Sequence, residues 1–160
     1  MPETGDAPDI ARWCADWELA RRTAHIPHPY TLDHALAFVG EAREAMAAAR
    51  TVTLAIERKG EPGVIGMIGL SLDGLGVEGD LGWWIAGPHR GLGYASEAAL
   101  VMVEFARAMG VARLTAGTQP DNLASQGVAR RIGMRPAGRM MRSAPARGAP
   151  METLEFVLTG

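Results

Sequence analysis

Cysteine, lysine and tyrosine are nearly absent from this chain of 160 residues, which has one Cys (Cys14), one Lys (Lys59) and two Tyr (Tyr30 and Tyr94). A single cysteine excludes an internal disulfide framework and a multi-cysteine zinc site, and it suits a reducing, cytoplasmic setting. An excess of one charge is missing as well. Sixteen basic and 18 acidic side chains leave a net charge of −2, so no overall positive field exists to hold a nucleic-acid backbone. No apolar run approaches the ~20 residues needed to cross a bilayer. The opening MPETGDAPDI has neither the basic nor the apolar stretch of a secretion signal. A Gly-Lys-Ser/Thr run is also lacking, which removes the nucleoside-triphosphate loop. These absences lead us to expect a cytoplasmic protein with neither nucleic acid nor membrane as partner. The basic side chains other than Lys59 are all arginine, a skew we read as genome base composition.

What is present reads as one domain of alternating helices and strands. Ile10, Trp13, Trp17 and Leu19 are spaced for a short amphipathic helix within 8–25, which the prolines of IPHPY (26–30) must end. Thr31 is a good N-cap for a second helix with Leu32, Ala35, Leu36, Val39 and Ala42 on one face. TVTLAIE (51–57) alternates as a half-buried strand, KGEPG (59–63) has turn chemistry, and VIGMIGLSL (64–72) is apolar enough for a central strand. DLGWWIA (80–86) follows a glycine-rich turn, so these strands are expected to be antiparallel. Residues 95–109 form a mostly buried helix that stops at Gly110. ARLTAGT (112–118) is a strand, and QPDN caps a short helix that ends at Gly133. Two final strands are expected at 134–142 and 151–159. The sum is an α/β (α+β) fold with a mixed sheet, and no internal repeat or linker.

The chemistry concentrates in the turn Pro88-His89-Arg90-Gly91-Leu92-Gly93-Tyr94-Ala95, between the WWIA strand and the buried helix. A glycine-rich turn that opens a helix presents unpaired backbone N–H groups at the positive end of the helix dipole, which is an anion site. Glycines at 91 and 93 allow φ > 0 and close approach of a ligand to the backbone. The dinucleotide fingerprint GxGxxG is only half met, because Ser96 stands where its third glycine belongs and the run follows the third strand. Arg90-x-x-Gly93-x-Ala95 instead fits the pattern [Gln/Arg]-x-x-Gly-x-[Gly/Ala]. The same pattern recurs at Arg107-x-x-Gly110-x-Ala112, but there it leads from helix to strand and forms no helix N-terminus. Downstream, Asn122-Leu-Ala-Ser125 opens a helix that ends at Gly133-Met134. Upstream, Asp80-Leu-Gly82-Trp83-Trp84-Ile85 leads into the turn.

In this order the segments resemble the GNAT superfamily of acyl-CoA N-acyltransferases, and within it the ribosomal-protein N-acetyltransferase-like branch, over about residues 9–160. The resemblance implies a single N-acetyltransferase domain over 1–160. Its sheet would be mostly antiparallel, flanked by helices on both faces and splayed at the cofactor site. It also implies an enzyme, monomer or homodimer, that moves an acetyl group from acetyl-CoA to a primary amine of a protein N-terminus or small molecule, without a metal. By this likeness Arg90, Gly91, Leu92, Gly93, Tyr94 and Ala95 hold the pyrophosphate. The backbone of Trp84 and Ile85 holds the pantetheine arm, as does Asn122. Ser125 is the candidate to stabilise or protonate the leaving thiolate. An amine of pKa ~10 must lose a proton before attack, for which Asp80 and Glu78 are candidate bases, with His28 next. His28, Tyr30 and Trp83 are expected beside the acceptor. His25-x-x-His28 lacks a third ligand, so no metal is expected. The chain departs from the family in two ways. MPETGDAP cannot supply the branch's first strand, and Ala129 stands where many relatives carry a tyrosine acid. The vacancy at 129 leaves a non-catalytic acyl-CoA-binding or regulatory module as the alternative.

Overall fold

The structure is a computed structural model that describes residues 1–159. Its helices are α1 (Ala7–Cys14), α2 (Trp17–Ala20), α3 (Leu32–Ala47), α4 (Tyr94–Ala108) and α5 (Leu123–Arg131). Its strands are β1 (Thr51–Arg58), β2 (Glu61–Leu72), β3 (Glu78–Ile85), β4 (Arg113–Thr118), β5 (Arg135–Arg142) and β6 (Met151–Thr159). They form one six-stranded sheet in the order β1-β2-β3-β4-β6-β5. Only β3 and β4 run parallel, and every other neighbouring pair is antiparallel. This is the mixed sheet the sequence pattern predicts, and it is mostly antiparallel, as the family resemblance implies. Among the described residues no strand precedes α1.

The expected first helix is two shorter ones. Asp16 stops the run because its carboxylate accepts from the Glu18 backbone N–H (3.0 Å), making it the N-cap of α2. Farther on, β2 starts inside the expected KGEPG turn, leaving only Lys59 and Gly60 as the hairpin connection. The β1–β2 register slips twice beside Pro62 and Gly63, which lets a strand begin across a proline. α3 begins as the sequence indicates, with the Thr31 hydroxyl accepting from the His34 N–H.

Both faces of the sheet are covered. α4 and α5 lie over a core of Ile68, Leu70, Leu81, Ile85, Met102, Leu114 and Phe156. α1 and α3 cover the opposite face through Ile10, Cys14, Val39, Val64 and Met67. Burial pushes the Cys14 thiol up to about 12, so it behaves as an apolar core group. The alternation along β3 divides the two tryptophans: Trp83 packs on the α4 side and Trp84 on the α1 side.

Gly66 fixes how closely β2 and β3 approach beside the site. A Cβ there would lie 2.4 Å from the Trp84 carbonyl oxygen and 3.3 Å from the Ile85 Cα, whereas at Gly69 nothing comes nearer than 3.9 Å. Gly66→Ala should therefore lower unfolding stability by about 1–3 kcal/mol, the range for overpacking, while Gly69→Ala should change it by less than about 0.5 kcal/mol. Urea denaturation of the two variants measures both values.

Candidate active site

β3 and β4 are paired only from Glu78 to Asp80 against Arg113 to Thr115. Beyond these residues β3 continues five more to Ile85 and β4 three more to Thr118, each still held on its other side by β2 or β6. The two strands thus part into a V whose vertex is the Asp80–Thr115 pair.

Residues of an antiparallel strand direct their N–H and C=O alternately to one neighbour and the other. The Ala86 N–H donates to the Ile65 carbonyl of β2 (2.8 Å), so Trp84 and Gly82 also turn their backbone groups to β2. Those of Leu81, Trp83 and Ile85 face the gap. This corrects one assignment from the sequence: the Trp84 backbone belongs to the β2 ladder, and Trp83 takes its place at the gap. The Ile85 carbonyl is already engaged by the Arg90 Nε–H (2.9 Å).

At the open end of the V, β3 leads through a short 3-10 turn (Gly87–His89) into the glycine-rich segment. Gly91 and Gly93 have φ of +78° and +91°, a conformation that L side chains adopt only at a cost. Gly93 is the N-cap of α4 and offers no side-chain cap, so the first N–H groups of this 15-residue helix are free to meet an anion. Arg90 does not point its side chain at that anion site; besides Ile85 it reaches Asp16 (3.4 Å) and so ties the turn to α2. Gly110, in the second match to the pattern, also has positive φ (+86°) but lies past the C-terminus of α4.

β4 delivers α5 to the same open end. Asn122 is the N-cap of α5, its Oδ1 accepting from the Ser125 N–H (3.2 Å), which leaves its amide N–H groups unused. Ser125 sits partly buried in the first turn. Ala129 is fully buried against the α4-side core, so no acid stands there. Leu92 is exposed at the turn, and Tyr94 and Ala95 are partly buried at the start of α4.

The acceptor residues expected from the sequence do not all gather. His28 is exposed, its ring 5.2 Å from Trp17. Tyr30 packs into the α1–α3 core, and burial raises its phenol pKa. Glu78 lies in the paired stretch, bridged to Arg113 at 3.1 Å. Asp80 does stand at the vertex, its side chain 43% exposed. It accepts from the Thr115 hydroxyl and from Arg142 Nη1, each at 2.8 Å. Arg142 was missed by sequence reasoning because it lies 62 residues away on β5. It also forks onto Glu155 of β6. Burial works against its charge, but the hydrogen bonds with Glu155 and Asp80 prevail and raise its hold on its proton. Among the described residues, no group of three or more His, Cys, Asp or Glu is placed to hold a metal ion, and no helix is long and apolar enough to cross a membrane.

A family model described as acetyltransferase (GNAT) domain matches residues 1–135. Solved structures share the fold at low identity. The acetyltransferase MccE of microcin self-immunity, in complex with acetyl-CoA and AMP, has a TM-score of 0.87 at 14% identity, covering 99% of this chain and 89% of that one. RimJ of Mycobacterium smegmatis, in complex with CoA-disulfide, has a TM-score of 0.85 at 21% identity, with coverages of 99% and 79%. A putative ribosomal-protein-serine acetyltransferase from Vibrio cholerae gives 0.80 at 19%, with coverages of 99% and 91%. No curated protein matches by sequence.

Proposed function

The chain belongs to the acetyltransferase (GNAT) family, and from that premise we propose that it transfers an acetyl group from acetyl-CoA to a primary amine by direct attack on the thioester. The observation that carries the reading is the V between β3 and β4 with a helix N-terminus at its mouth. The pantetheine arm has two amides, and a strand edge with free backbone groups pairs with such a chain as it would with another strand. The N–H groups at Gly93, Tyr94 and Ala95 then receive the pyrophosphate, and the Trp83 backbone and the Asn122 amide receive the arm. The thioester comes to rest near the vertex, on the side where Asp80 lies.

The acceptor arrives as an ammonium ion and must give up one proton before its lone pair can attack the carbonyl carbon. Asp80 takes that proton, directly or through water. As the C–N bond forms and the C–S bond breaks, the second nitrogen proton leaves with the thiolate, helped by a hydrogen bond from Ser125. Protein N-termini and small-molecule amines both meet this chemistry. Incubating the protein with acetyl-CoA and a panel of peptides and amines, and following release of free thiol, tests the reading. Binding of acetyl-CoA without thiol release in any mixture would favour the non-catalytic module that Ala129 allows.

Three variants probe the parts. Gly93→Val should abolish acetyl-CoA binding in calorimetric titration, because a β-branched residue resists positive φ. Gly110→Val carries the same strain away from the gap and should lower stability with affinity intact. Ser125→Ala should reduce kcat by about 10- to 1000-fold with acetyl-CoA affinity little changed, as for loss of a hydrogen bond made in the transition state. Asp80→Asn should lower kcat/KM for the amine and shift its pH profile alkaline, since the variant depends on amine already neutral in solvent. An Asp80→Asn profile that overlays the wild type would place the base elsewhere.

A further inference from the structure

Arg142 is the one side chain that spans the sheet at the vertex of the V. It leaves the end of β5, passes over β6 and β4, and reaches Asp80 on β3. Nη1 lies 2.8 Å from both Asp80 oxygens, while Nε donates to Glu155 at 2.9 Å and Nη2 to its other oxygen. The guanidinium fork is thus divided between two carboxylates, a geometry lysine could not reproduce. Room for it is made by Gly117: a Cβ there would lie 2.5 Å from Arg142 Nε and 2.8 Å from Cζ. Glu155 is anchored in turn by the Thr153 hydroxyl (2.5 Å), its side chain only 12% exposed. Each partner fixes the next, and the free end of the chain of contacts is Asp80.

We propose that Arg142 is a positioning residue for the acetyl transfer: it holds the Asp80 carboxylate at the point where β3 and β4 part, so that one oxygen stays open to the incoming amine. The inference rests on the reading of the gap as the acetyl-CoA site. Asp80 Oδ1 takes two hydrogen bonds, from Thr115 and Arg142, whereas Oδ2 takes only the one from Arg142. A carboxylate oxygen can accept two, so Oδ2 has a lone pair to spare on a side chain still open to solvent. The charged groups around it are Arg142 from β5, Glu155 from β6, and the Glu78–Arg113 pair farther along β3 and β4. From β2 the residue opposite is the uncharged Ser71. Asp80, Arg142 and Glu155 together carry one net negative charge, which suits an ammonium ion as the arriving form of the acceptor.

The test compares Arg142→Gln, Gly117→Ala and Asp80→Asn, singly and with Asp80→Asn combined with Arg142→Gln, each first checked for a native circular dichroism spectrum and melt. Arg142→Gln should lower kcat/KM for the amine by about 10- to 100-fold, the cost of a misplaced reacting group. Its pH profile should shift alkaline as for Asp80→Asn, and acetyl-CoA affinity should stay within about twofold of wild type. Gly117→Ala keeps every charge but pushes the guanidinium aside, so it should give the same effects at smaller size and keeps the question answerable if Arg142→Gln does not fold. The double variant should be no worse than Asp80→Asn alone, because Arg142 acts through Asp80. An unshifted profile, losses that multiply in the double variant, or an equal loss of acetyl-CoA affinity would overturn the positioning role while leaving the transferase reading in place. If the wild-type protein acetylates no amine at all, the transferase reading falls first and this inference with it.

Discussion

Each backbone amide in a sheet needs a partner, and the structure stops supplying one where β3 and β4 diverge beyond Asp80 and Thr115. Both strands remain fully laddered on their outer sides, so neither can swing back to close the gap without breaking a second set of hydrogen bonds. Buried backbone groups left without partners cost free energy, so the V is retained by its surroundings and not by its own edges. Gly66 lets β2 hug the diverging half of β3, and the core under α4 grips the alternate side chains Leu81, Trp83 and Ile85. The opening is therefore a rigid feature of the sheet, set before any ligand arrives.

Topology then gathers the remaining parts. Because β3 and β4 are parallel, their C-terminal ends lie together, and the helices that follow them start at the same mouth. The free N–H groups of α4 and the Asn122-capped start of α5 thus face one opening, which is why the proposed occupant is an anionic ligand with an amide-bearing tail. The opposite face of the sheet carries the charged cluster at the vertex. Under the proposed reading, anion recognition and amine recognition are separated by the thickness of a single sheet, and the reacting carbon lies where they meet.

Much of this is legible in the residues themselves. The strands and long helices announce themselves by periodicity, and the glycines at 91 and 93 by their place between a strand and a helix. Local signals reach only as far as local structure does. Asp16 is a strong N-cap, yet it sits inside an amphipathic repeat, and the cap overrides the repeat. The family likeness assigns the Trp84 backbone to the pantetheine arm; which of two neighbouring backbones faces the gap depends on register with β2, which no single segment encodes. Tyr30 reads as a cleft residue beside His28, but tertiary packing draws it into the core. Arg142 belongs to an arginine-rich edge strand whose other members are exposed, and only the folded sheet brings it to Asp80. Gly117 carries no local signal within its strand, and its purpose appears only with Arg142 laid across it.

The short β1–β2 connection holds Lys59, the chain's single lysine. All its other basic side chains apart from histidine are guanidinium groups, which stay protonated and non-nucleophilic at neutral pH. A protein working with a reactive thioester thus exposes just one ε-amine of its own, at a hairpin tip. Besides the α-amino group, that is the single place where stray acylation could leave a stable amide on the protein itself. One peptide in a digest would report it.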